Sequence, residues 1–245
     1  MNHLLLFLVT LWAGAQNALA GGGSFLTLPM LMLTGMDARA ANITSCVGLF
    51  PAQIAIALAG RSLASGVAGL SLRLLTFISI AGGAIGAAIL LVTPADFFAR
   101  LVPWLVLFAT AIFVWGSFFR KAETAGHVGP AAAGVMQMLI SIYGGYFGGG
   151  IGFLMIAALT LAGEQVRAAG ATKNVLAAVM NASAVLIFLF SPDLRWTQAA
   201  TTMIGATIGG LYGAKLLHVL DEKLLRVFVA LIGAALTIGL FWKAV

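Results

Sequence analysis

The sequence predicts an all-α polytopic membrane protein built from two inverted repeats. Each repeat is a glycine-broken helical hairpin followed by three transmembrane helices. Three observations predict this. Of the 245 residues, 62% are hydrophobic and only 8% are charged, against roughly 25% charged in soluble domains, so an ordinary water-soluble globule is excluded. Two glycine runs, Gly21-Gly22-Gly23 and Gly148-Gly149-Gly150, interrupt apolar segments where a membrane helix would continue. Sliding the sequence on itself by 128 positions brings the two runs into register.

Lipid cannot hydrogen-bond the N–H and C=O groups that a broken helix frees. Such backbone is tolerated at membrane depth only inside protein or beside a water-filled cavity. Two breaks at corresponding positions of two half-chains mark the binding site of a secondary transporter. A β-barrel would show alternating segments of ~10 residues, whereas these apolar runs are continuous. The net charge of +6 reflects a cytoplasmic excess of Lys and Arg rather than nucleic-acid binding. The single cysteine, Cys46, excludes an intrachain disulfide.

The elements follow in order. Residues 3–20 form the first apolar run, ending Ala18-Leu19-Ala20 like a signal-peptide cleavage site. Met1-Asn2-His3 lacks Lys and Arg, and the repeat gives the run an internal counterpart, so it reads as retained. Run 24–35 has ~12 residues and covers ~18 Å, too short for a ~30 Å core. It therefore pairs with the first run as a hairpin of partial helices. Full spans follow near 40–59, 69–92 and 101–119. A cytoplasmic linker over 120–128 joins repeat 1–119 to repeat 129–245, whose runs lie near 130–147, 151–162, 168–190, 197–217 and 224–243.

The register is supported residue by residue. Gly21, Gly22, Phe25 and Leu26 fall on Gly149, Gly150, Phe153 and Leu154. Gly35, Arg39 and Thr44 fall on Gly163, Arg167 and Thr172, and Gln53 on Asn181. An odd number of crossings per half inverts one repeat against the other. Arg61, Arg73, Arg120, Lys121, Arg167, Lys173, Lys215, Lys223 and Arg226 then share one face, leaving Arg39, Arg100, Arg195 and Lys243 on the other. The richer face is cytoplasmic, which puts both termini outside, in an inner (plasma) membrane. Gly82-x-x-x-Gly86 and Gly205-x-x-x-Gly209 read as close helix packing.

Every Asp, Glu and His falls in a loop or at a span end, so a mid-membrane carboxylate for cation coupling is missing. Neither metal-ligand spacing nor a hydrolase motif occurs. No cofactor, metal or enzymatic activity is expected. An anion is better served. Partial helices starting near Ser24 and Ile151 aim their positive ends at the breaks, offering donors from Gly21, Gly22, Gly23, Ser24, Gly149, Gly150 and Gly152. The alternative is that these glycines only make tight turns. Gln16 and Asn17 precede the first break as side-chain donors, and Tyr143 and Tyr146 approach the second, to stack or to fill space.

The helix after each hairpin carries a polar stripe. Asn42, Cys46 and Gln53 share one face, as do Asn174 and Asn181. Thr44 and Ser45 correspond to Thr172 and Lys173. The amides either bind substrate or join helices. Lys173 is either a pocket cation or an ammonium snorkelling to the surface. Arg39 and Arg167 are either gating or funnel charges or caps of the partial helices.

The pattern Ala20-Gly-Gly-Gly-Ser-Phe-Leu-Thr-Leu-Pro-Met30, then Gly35 and Arg39-Ala-Ala-x-x-Thr44, recurs as Gly144-Gly-Tyr-Phe-Gly-Gly-Gly150 through Thr172-Lys-Asn174. It resembles the sulfite exporter TauE/SafE family. The second copy departs from the first where Ala157 stands for Pro29 and Gln165 for Asp37. The resemblance implies prokaryotic export of a small anion: sulfite, a sulfonate such as sulfoacetate, or a related organic acid. The expected mechanism is alternating access, with an anion channel or carboxylate permease as the alternative. The expected partners are that anion and membrane lipid, with a homodimer left open.

Overall fold

A computed structural model describes residues 3–19, 22–119, 128–216 and 222–244. Gly21 and most of the 120–128 linker lie outside the described residues. Among the described residues the structure is a bundle of ten α-helices. The first half holds α1 (His3–Leu19), α2 (Ser24–Leu33), α3 (Ala38–Gly60), α4 (Leu72–Val92) and α5 (Ala95–Val114). The second holds α6 (Pro130–Tyr146), α7 (Ile151–Leu161), α8 (Val166–Phe188), α9 (Trp196–Leu216) and α10 (Glu222–Ala244).

Local chemistry explains these boundaries. Gly35 ends α2 at φ +90° and Gly163, 128 positions on, ends α7 at φ +96°, a left-handed stop that glycine takes without a Cβ penalty. The Asp37 carboxylate then opens α3 by accepting from the N–H groups of Arg39 and Ala40, both at 3.0 Å. Gln165 opens α8 without a side-chain cap. Ser71 caps α4 through the Leu74 N–H, and Pro130 occupies the first turn of α6.

The apolar runs 24–35 and 151–162 are short helices, of 10 and 11 residues. Four helices among the described residues are long and apolar enough to cross a membrane: Ala38–Leu63, Leu72–Val92, Ala95–Val114 and Val166–Phe188. One boundary moves. Pro94 starts α5 at Ala95, ahead of the expected 101, so Arg100 lies within a helix. A π-helical turn, Trp115–Phe119, ends that half.

The first helix of each half packs against the other half: α1 on α9, and α6 on α4. Under the 128-residue offset each of these pairs maps onto the other. Centrally, α3 meets α8 and α9, while α8 also meets α4. Glycine makes the close approaches possible. A Cβ on Gly86 would strike the carbonyl of Ile142, and one on Gly209 the carbonyl of Leu11. The Gly-x-x-x-Gly stretches are thus helix contacts. Trp104, Leu139, Phe190 and Trp242 are exposed around the outside, as lipid-facing side chains should be.

Gly86→Val should therefore force α4 off α6 and cost about 1–3 kcal/mol. A thermal melt in detergent should show a lowered midpoint, whereas Gly239→Ala, with open space around it, should leave the midpoint near wild type.

Candidate functional site

Both hairpins are broken, and in each the preceding helix ties down the freed backbone. In the first, the Gln16 side-chain amide donates to the Gly22 carbonyl at 3.2 Å, and the Gly23 N–H donates to Asn17 Oδ1 at 3.5 Å. In the second, the Tyr143 hydroxyl donates to the Gly149 carbonyl at 2.9 Å. The Asn42 amide reaches from the first half to the Tyr146 carbonyl at 3.1 Å, at the end of α6. Gly22 (φ +81°) and its counterpart Gly150 (φ +73°) share the left-handed conformation that re-aims the chain into the short helix.

Between the breaks lies a small, open cavity of about 60 Å³. Its lining draws on both halves at matched positions. Six pairs related by the 128-residue offset face it: Asn17 and Gly145, Ser24 and Gly152, Ser45 and Lys173, Cys46 and Asn174, Leu49 and Ala177, Gln53 and Asn181. The last pair is bonded directly. Asn181 Nδ2 donates to Gln53 Oε1 at 2.6 Å, so the correspondence between the halves passes through this contact. Asn181 Oδ1 also accepts from the Cys46 thiol at 3.9 Å.

Lys173 is 8% exposed and lines the cavity. Ser24 and Gly152 lie in the first turns of α2 and α7, so both short helices bring their N-terminal ends to the same space. Phe25, Leu26 and Thr27 of α2 already donate to the Gly22 and Gly23 carbonyls, and Phe153 and Leu154 of α7 to that of Gly150, so the two ends bring chiefly the partial positive charge of the helix dipole. Asn42 also lines it, and the rest of the wall includes the apolar side chains of Ile56, Phe147, Ile151 and Phe188. The arrangement is an open pocket with one ammonium, several neutral side-chain donors and two helix N-termini.

The structure thus gathers Asn17, Gly22, Ser24, Ser45, Gln53, Gly152, Lys173, Asn174 and Asn181 around one space. Other expected site residues sit elsewhere. Gln16, Gly23, Gly149 and Gly150 shape the breaks without lining the cavity. Thr44 and Thr172 anchor loops of the opposite half. Thr44 Oγ1 accepts from the Arg195 N–H at 3.2 Å, and Thr172 Oγ1 accepts from the Ser65 N–H at 3.0 Å. Glu164 joins the second anchor, accepting from Thr172 Oγ1 at 2.6 Å and Ser65 Oγ at 2.7 Å.

Arg39 bonds to Asp193 at 2.7 Å and to the Thr93 carbonyl at 2.7 Å, tying the first hairpin to two loops. Arg167 is exposed. Sequence reasoning passed over the apolar wall. Leu49 and Ala177 stand one turn from the polar stripe on both sides, and that spacing was the available signal.

A family model described as sulfite exporter TauE/SafE matches residues 6–240. The chain is 27% identical to the probable membrane transporter protein YfcA of Escherichia coli strain K12, over 98% of this chain and 90% of that protein. It is 25% identical to a probable membrane transporter protein of Haemophilus influenzae, over 95% and 92%. It is 27% identical to the probable membrane transporter protein ORF9 of a Sinorhizobium species, over 97% and 92%. No solved structure matches significantly.

The Gln53–Asn181 bond should couple the halves measurably. A double-mutant cycle with Gln53→Ala and Asn181→Ala, read by thermal unfolding in detergent, should give a coupling of about 0.5–1.5 kcal/mol. Strict additivity would mean that the bond does not join the halves.

Proposed function

Because the chain belongs to the sulfite exporter TauE/SafE family of membrane transporters, we propose that it carries a small oxyanion across the cytoplasmic membrane, with the cavity between the broken hairpins as its binding site. The observation that carries this reading is Lys173, a buried ammonium on a cavity to which both halves contribute. Charged groups at membrane depth are costly and belong to substrate pathways. The converging N-termini of α2 and α7 support the same sign of ligand.

The substrate class we favour is sulfite, a sulfonate or a related organic acid, moved outward. Sulfur-bearing anions rest on the family's description. Three oxygens on a sulfonate suit neutral donors clustered around one lysine. The halves act as inverted repeats and exchange conformations around the fixed site, exposing it to one side and then the other. With Arg61, Arg73 and Arg167 at the cytoplasmic face, both termini lie outside. Arg39 acts as a latch, since its charge is already matched by Asp193, and funnelling falls to other groups.

Proteoliposomes loaded with labelled sulfite or a sulfonate should show saturable exchange that accelerates when unlabelled anion is present on the opposite side. Lys173→Gln should lower that exchange by about tenfold or more, since it removes a charge-assisted bond. Large single-channel currents without counterflow would establish a pore instead. Exchange no faster than in empty vesicles would overturn the reading.

A further inference from the structure

Resting on that carrier reading, we infer that the site takes anions of a single negative charge and discriminates against dianions of the same chemical group. Among the described residues, Lys173 is the one cation lining the cavity, and no carboxylate lines it. The position related to Lys173 by the 128-residue offset is Ser45, which is buried and shares a hydrogen bond with the Thr27 hydroxyl. One half supplies an ammonium where the other supplies a hydroxyl.

Glu164 and Arg39 stand outside the lining. Glu164 accepts from Ser65 and Thr172, and Arg39 is held by Asp193. One charge on the ligand is therefore matched by one full charge on the protein. A second would be left to neutral donors and apolar wall. Helix N-termini add only fractional charge, and an unmatched charge taken from water into such a pocket is heavily penalised.

The inference separates ligands that the carrier reading leaves together. Hydrogensulfite and simple alkanesulfonates carry one charge and fit. Sulfite dianion and sulfoacetate, with its added carboxylate, carry two and are disfavoured.

The experiment is a counterflow panel in proteoliposomes at one pH, using methanesulfonate and ethanesulfonate against ethane-1,2-disulfonate and sulfoacetate. The wild-type protein should prefer the monoanions by about tenfold or more, equivalent to about 1.4 kcal/mol. Asn174→Lys, which adds a second ammonium to the lining, should move the ratio toward the dianions by a similar factor. Size-exclusion profiles matching wild type would certify the variant's fold. Equal transport of monoanions and dianions by the wild type would overturn this inference alone. Failure of every anion, hydrogensulfite included, would overturn the carrier reading along with it.

Discussion

The structure depends on what happens to backbone polar groups where two membrane helices stop short. In lipid an unpaired N–H or C=O costs several kcal/mol, so a break has to be tied to protein or opened to water. Both solutions are used here. Gln16, Asn17, Tyr143 and Asn42 each take up a main-chain group at a break. The side of the break that remains faces a cavity with polar lining. Glycine at positions 22 and 150 gives the chain the left-handed turn that aims both short helices inward. The cavity thus follows from solving the same problem twice, in one place.

Positions related by the 128-residue offset share some roles and differ in others. Thr44 and Thr172 still do the same job, each holding the loop of the opposite half. Gln53 and Asn181 meet each other. Ser45 and Lys173 have parted, one neutral and one charged, and that difference gives the cavity its sign. Arg39 and Arg167 have parted too. Arg39 is locked to Asp193 and Thr93, while Arg167 stays exposed.

Much of this was legible in the sequence. The ten apolar runs, the two short helices and the glycine breaks came from length and composition, because membrane thickness and backbone pairing constrain them directly. Nine of the expected lining residues converge, since the stripe spacing on α3 and α8 places their side chains on one face. Thr44 and Thr172 lie off the cavity and hold loops of the opposite half, and a loop arriving from there leaves no mark beside them in sequence. The start of α5 was read late, since charged Asp96 and Arg100 broke the apolar run without breaking the helix. Leu49, Phe147 and Phe188 were passed over because an apolar cavity wall looks like any other apolar surface.

The central claim is that the two breaks open onto one shared cavity. It is tested most directly by single cysteines at Ser24 and Asn174 in a Cys46→Ser background, labelled in membranes with a charged, impermeant thiol reagent. Both should react, and one and the same anion, hydrogensulfite or methanesulfonate, should protect both with a common half-saturating concentration. Labelling of only one position, or protection of one without the other, would contradict a shared site.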